Sequence, residues 1–215
     1  MRIFNSAAAL GLSCALALSL AVTGCGKSKD KRVTKNDDGT QTTSDGVVTL
    51  TGAGATFPYP LYSKWMHSYH QQTGNKISYQ SIGSGGGIRQ IIERTVDFGA
   101  SDAPMTDEEL GKAPGKIVHI PATIGAVVVS FNVDGIDHLN LSQEAVAGIF
   151  LGDIKKWNDP AIAADNAGVA LPDKSITVAY RSDGSGTTAV FTDYLAAVSP
   201  TWKEKVGAGK AVRFP

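Results

Sequence analysis

Arg181, Asp183, Ser185 and Thr187 stand close together in RSDGSGT. The stretch lies between the apolar run ITVAY (176–180) and a helical face at Val190, Phe191, Tyr194, Leu195 and Val198. A guanidinium presents a planar fork of donors suited to an oxyanion. A glycine-rich turn that opens a helix exposes unpaired backbone N–H groups at the positive end of the helix dipole. Together they describe an anion site. The same residues have a plainer reading, with Ser185 as a helix cap and Arg181–Asp183 as a surface ion pair. In either case Asp183 can hold the guanidinium in place.

Two further helix mouths carry hydroxyls. Thr56 and Phe57 in GAGATFPYP follow VVTLT (47–51) and precede Leu61, Trp65 and Tyr69, one helical face. Ser84, with Gly85 to Gly87, follows ISYQS (77–81) and precedes Ile88, Ile91 and Ile92. A hydroxyl donates to an anion without adding charge. Capping explains any one mouth, and three in one chain raise anion binding to an equal footing with it. None of these three mouths carries Gly-Lys-Ser/Thr, so none is a nucleotide P-loop; the one Gly-Lys-Ser, Gly26 to Ser28, lies in the polar stretch after Cys25. Asp102 in GASDAPM has two local readings. It makes an Asx turn before Pro104, or it accepts a hydrogen bond from an anion that still carries a proton. Hydrogen phosphate carries one near neutral pH and sulfate does not, so such a carboxylate would admit the first and repel the second.

Catalysis finds no support. His67 and His70 sit at i, i+3 without an evident third metal ligand. Ser185 lacks the G-x-S-x-G pattern of a nucleophile elbow, and neither His119 nor His138 can be placed beside it. No catalytic residue, metal or cofactor is expected. Twenty basic residues balance twenty acidic ones, which argues against a broad basic face for nucleic acid.

The elements that position these residues alternate. Strand, glycine loop and amphipathic helix recur in that order three times. VDFGASDAP adds a short strand, and Thr106 with Glu109 forms a capping box for a short helix. Gly115–Val133 reads as extended chain with a buried strand at Ile124–Phe131. SQEAVAGIFLGDIKKWND reads as a helix capped by Ser142. Val212–Phe214 reads as the start of a strand with nothing after it to close it, so the chain looks truncated. The pattern predicts an α/β fold with a largely parallel sheet.

The N-terminus is of another kind. Arg2 precedes an apolar run, Ala7 to Val22, and a polar stretch follows at once, which marks a secretion signal rather than a membrane span. VTGC ends in small residues before Cys25, like a bacterial lipoprotein cleavage site, with Cys25 lipidated. The alternative is a plain signal peptide with an incidental cysteine. Diacylation, as by palmitate, would anchor the protein without spanning the bilayer. Cys14 and Cys25 are the only cysteines, so the mature domain has no disulfide. Gly26–Gly46 is polar and unpatterned and reads as a flexible tether.

LTGAGATFPYPLYSKW, YQSIGSGGGIRQIIERTVDFGASDAPMTDEEL, FLGDIKKWND and RSDGSGTTAVFTDYL, in this order, resemble the PstS family of bacterial phosphate-binding proteins. The resemblance covers Val47 to Pro215. It implies a type II periplasmic-binding-protein fold, with two lobes and inorganic phosphate held in the cleft between them. Matched motif by motif, one lobe supplies Thr56, Phe57, Ser84 and Asp102. The other supplies Arg181, Ser185, Gly186 and Thr187, with Asp183 steadying Arg181. Phe57 and Gly186 would act through backbone N–H groups and Asp102 as acceptor. The family often has a second serine where this chain has Gly85, and its members continue well past the point matching Pro215.

The expected organisation is a lipoprotein signal peptide at 1–25, a tether at 26–46, a first lobe at 47–121 and an incomplete second lobe at 122–215. The implied function is extracytoplasmic: capture of phosphate and delivery to an ABC-transporter permease driven by a cytoplasmic ATPase. The protein would be lipid-anchored at the membrane, in the periplasm or on the cell surface. The alternatives are a phosphatase using the same grip, or a binder of sulfate or molybdate.

Overall fold

A computed structural model describes residues 33–35, 41–43 and 46–215. The leader, Cys14 and Cys25 lie outside the described residues. The described residues all fall within one compact unit.

The sheet is organised on β3 (Val48–Gly54), which pairs in parallel with β4 (Lys76–Ser81) from Thr49↔Lys76 to Gly54↔Ser81. On its other edge, β5 (Phe98–Ala100) pairs in parallel with the C-terminal end of β3. β2 (Gln41–Thr43) pairs antiparallel with the N-terminal end of β3, and β1 (Val33–Lys35) pairs antiparallel with β2. These two strands correct the tether reading. The segment 26–46 contains VTK and QTT, and its β-branched residues favour the extended backbone that the free end of β3 can pair with.

Helices follow the strands as the spacing predicts. α1 (Tyr59–Thr73) lies between β3 and β4, and α2 (Ser84–Ile92) between β4 and β5. α3 (Asp107–Lys112) starts at Thr106 with its capping box formed, Glu109 N to Thr106 Oγ1 at 3.2 Å and Thr106 N to Glu109 Oε2 at 2.8 Å. α4 (Gln143–Phe150) is capped by Ser142 but stops at Phe150, short of the LGDIKKWND expected to continue it, with Gly152 in the left-handed region at φ 73° just beyond its end. α5 (Pro160–Asp165), α6 (Gly186–Val198) and α7 (Pro200–Lys205) complete the order. No described helix is long and apolar enough to cross a membrane.

α2 reaches the sheet through Gly87. A Cβ there would lie 2.5 Å from Gly54 Cα and 2.6 Å from the Ala53 carbonyl oxygen. Only glycine lets the helix lie directly on β3, and this contact fixes where Ser84, three residues earlier, points. A second core gathers Val146, Ala147, Leu195, Trp202 and Phe214, with Phe150 and Phe191 packed against it. It seats α4, α6 and α7 together and so fixes the start of α6.

Three expected strands are not strands here. Residues 124–131 pair with none of the described strands, and Ile124 is 97% and Val128 74% exposed. Residues 176–180 likewise form no ladder: Ile176 N–H donates to the Lys155 carbonyl at 2.8 Å beside a single bridge, Lys156↔Ser175, and the pairing goes no further. Residues 212–214 form no ladder, and Phe214 is instead buried among helices, stacked on Tyr180 at 4.4 Å. The reason is common to all three. An apolar run becomes a parallel strand only with a neighbour on its edge, and none of the described strands lies beside these. Leu61, Trp65 and Tyr69 do share a helix, α1, but all three are exposed.

Gly87→Ala should cost about 1–3 kcal/mol of stability, since the methyl must displace backbone rather than a side chain. Urea unfolding would register this as a lower midpoint with an unchanged slope.

Candidate functional site

The eight expected anion ligands and Asp183 fall within one neighbourhood, where the starts of α2 and α6 meet. Gly85 N–H donates to the Gly184 carbonyl at 2.8 Å, so the two glycine loops touch. Gly186 opens α6 so close to its neighbours that a Cβ would lie 2.5 Å from Ser84 Oγ and 2.6 Å from Asp102 Cβ. Asp102 is the shared partner. Its carboxylate accepts from Thr187 Oγ1 at 2.9 Å and from Ser84 Oγ at a longer 3.4 Å. The Asp102 N–H donates back to Ser84 Oγ at 3.3 Å.

This geometry corrects the Asx-turn reading of Asp102. The local turn is closed by Ser101, whose hydroxyl donates to the Ala103 carbonyl at 2.6 Å, so the neighbouring serine leaves the Asp102 carboxylate free to face α6. The capping reading also divides. Ser185 is the N-cap of α6 and accepts from Thr188 N–H at 3.2 Å. At α1 the N-cap is Pro58 and at α2 it is Gly83, and neither makes a side-chain cap. Thr56 and Ser84 therefore do not spend their hydroxyls on capping. Ser84 and Ser185 are each 1% exposed, whereas Phe57 is 45% exposed.

Arg181 is held on two sides. Nε donates to Asp183 Oδ1 at 2.6 Å, and Nη2 donates to Asp183 Oδ2. Nη1 donates to Thr56 Oγ1 at 3.1 Å, across 125 residues of sequence. Hydrogen bonding to Arg181 holds the Asp183 carboxyl below its ordinary value, and the same contact raises the guanidinium. The ion pair is a surface one, as the plainer reading had it, with side chains 38% and 43% exposed. Its fork still reaches into the site through Thr56.

Tyr79 was not singled out in the sequence. Its hydroxyl donates to the Ala55 carbonyl at 2.7 Å, fixing the residue before Thr56. Burial pushes this phenol up, so it stays a donor. Its ring packs edge-on to Tyr62 at 5.3 Å and stacks on Phe98 at 6.1 Å. The only sequence signal was an aromatic in the β4 run. Beside the site opens a cleft of about 1760 Å³, with Phe57, Tyr62, Asp102, His119 and Thr187 among its walls. No group of three or more His, Cys, Asp or Glu among the described residues is arranged to hold a metal.

A mixed sheet whose parallel strands β3 and β4 lead through glycine loops into helices, and two helix mouths meeting at a cleft, is the architecture of an α/β binding domain. The chain belongs to the PBP superfamily, whose domain model matches residues 39–213. The phosphate-binding protein PstS of Pasteurella multocida (strain Pm70) is 59% identical over 169 residues, which is 78% of this chain and 48% of that protein. PstS of Methanocaldococcus jannaschii is 36% identical over 214 residues, 96% of this chain and 53% of the relative. An ABC-type phosphate transport receptor from Vibrio cholerae superposes with a TM-score of 0.44 at 20% identity, over 68% of this chain and 55% of its own. The chain spans about half the length of the curated relatives it matches.

Because the folded Asp183 carboxyl is held low, its contribution to stability is complete above its unfolded value of about 3.9. That contribution is lost as pH falls through the lower folded value. Water screens this exposed pair, so its size is that of a surface ion pair, about 0–1 kcal/mol. The stability gap between wild type and Asp183→Asn should thus be flat near neutrality and close below about pH 4. Urea midpoints across pH, with the Asp183 carboxyl followed by carbon NMR, measure both.

Proposed function

We propose that this chain is the phosphate-holding part of an extracytoplasmic solute-binding lipoprotein that feeds an ABC-transporter permease with its cytoplasmic ATPase. Inorganic phosphate is held where a first lobe, 47–121, meets a second, 122–215. Its ligands are Thr56, Phe57, Ser84, Asp102, Arg181, Ser185, Gly186 and Thr187, with Asp183 orienting Arg181. The protein is lipidated at Cys25 and works in the periplasm or at the cell surface, held to the membrane by that anchor.

The observation that carries this reading is Asp102. A carboxylate set between two hydroxyls at converging helix mouths, one of them 2.9 Å away, would oppose an anion. It favours one only if the anion brings a proton. Hydrogen phosphate donates that proton to Asp102, which frees Thr187 and Ser84 to turn their hydroxyls toward the phosphate oxygens. The backbone N–H groups of Phe57 and Gly186 and the fork of Arg181 supply the remaining donors. Micromolar affinity needs about −8.2 kcal/mol. About six bonds to a charged ligand, at roughly 1.5–3 kcal/mol each, reach that figure with a margin for association costs. Nothing is cleaved, so no nucleophile or base is required. The PstS names of the relatives point the same way.

Calorimetry with phosphate and with sulfate tests the reading. Wild type should prefer phosphate by about a thousandfold, because an unprotonated anion beside Asp102 costs several kcal/mol. Asp102→Asn should narrow that to about tenfold, since an amide can donate to sulfate. Equal affinity of the wild type for both anions would refute the role of Asp102. Turnover of p-nitrophenyl phosphate would refute the transport reading. For the anchor, detergent-phase partitioning of the cell-expressed protein should be lost in Cys25→Ala.

A further inference from the structure

Glu109 and Lys210 form an ion pair that joins the two halves of the chain away from the anion ligands. Lys210 Nζ donates to both carboxylate oxygens of Glu109, at 3.0 and 2.9 Å. The lysine and glutamate side chains are only 15% and 25% exposed. Among the described residues, the other ion pairs each lie within a single segment, 47–121 or 122–215, and this one spans both. Water screens it less than the Arg181–Asp183 pair, and truncating either partner leaves a half-buried charge behind.

Each partner is fixed at its own end. Glu109 belongs to α3, which begins shortly after Asp102, and its carboxylate also accepts from Thr106 N–H at 2.8 Å. Burial alone would push this carboxyl up; the Thr106 and Lys210 donors outweigh it and hold it below the ordinary value. At the other end, the Lys210 carbonyl accepts from Ser185 N–H at 2.9 Å. The preceding Gly209 N–H donates to Thr192 Oγ1 of α6 at 3.0 Å. The ammonium is thus tied to the Asp102 side and the lysine backbone to the mouth of α6.

We infer that Lys210 and Glu109 are positioning residues for the anion site, a latch that holds the Ser185–Thr187 mouth against Asp102 and Ser84 and so slows release of an anion it never touches. The inference rests on the phosphate reading above for its consequence, though not for its geometry. A latch between two mouths acts after the anion has entered. It therefore acts on dissociation more than on association.

The test uses the full chain with inorganic phosphate as probe. Lys210→Met keeps the stem length, and Glu109→Gln keeps a capping acceptor for α3. Each should raise the phosphate dissociation rate about tenfold while changing association less than about twofold. The double variant should be no worse than either single one, because both remove the same contact. Lys210→Arg should restore the wild-type rate. Unchanged dissociation in both single variants, or additive losses without rescue by arginine, would overturn the latch. Hydrogen exchange on the phosphate-free protein keeps the two proposals separable. In Lys210→Met the Ser185 amide should exchange about tenfold faster, with β3 and β4 unaffected. If wild type binds no phosphate, the anion reading fails. The latch still fails or stands on whether that amide loses protection.

Discussion

The structure turns on one carboxylate. Asp102 sits where the starts of α2 and α6 converge, bonded to Ser84 in its own half of the chain and to Thr187 in the other. Much of the fold serves to bring those three residues together. Gly87 lays α2 on β3, which aims Ser84. The pairing of β5 with β3 delivers the loop that carries Asp102. The aromatic and aliphatic core around Trp202 and Phe214 sets the start of α6, and Gly186 removes the side chain that would keep it away.

The electrostatics of the neighbourhood are unusual for an anion site. One guanidinium faces two carboxylates, Asp102 and Asp183, and the guanidinium is already paired. Formal side-chain charge therefore cannot be what attracts a ligand. On the phosphate reading proposed above, backbone N–H groups and hydroxyls carry the attraction, and the carboxylate imposes a condition on it. This fits a chain whose total charge is balanced. Binding on that reading selects by protonation state rather than by charge density, which needs an enclosed site with fixed donors more than a basic surface.

Much of this was legible in the sequence, wherever the signal was local. The strands β3, β4 and β5 were marked by short β-rich runs ending in glycine loops, and the helices α1, α2 and α6 by their spacing. The caps at Thr106 and Ser142 were marked by side-chain chemistry within one turn. The apolar runs at 124–131 and 176–180 were misread because a run of valine and isoleucine states a demand for burial without naming the neighbour that meets it. Asp102 was ambiguous for a related reason: an Asx turn is decided by the next two residues, whereas its partner Thr187 lies 85 residues away. Glu109 was legible in one of its two roles, since the capping box is local and Lys210 is not. The resemblance to PstS proteins supplied what spacing could not, namely which of several helix mouths belong together.

The separation along the chain of the groups that meet at the site has a consequence in time. The β3–β4 ladder closes loops of modest length, and α2 and β5 add to it from nearby sequence. The Arg181–Thr56 and Asp102–Thr187 contacts instead span 125 and 85 residues. Contacts that must close the longest loops are the ones a folding chain makes late. The contacts across the site therefore carry the larger loop-closure cost and the ladder beneath them the smaller, so opening the site need not open the sheet. A site that opens without unfolding its scaffold can release what it holds and form again, many times over the life of one molecule.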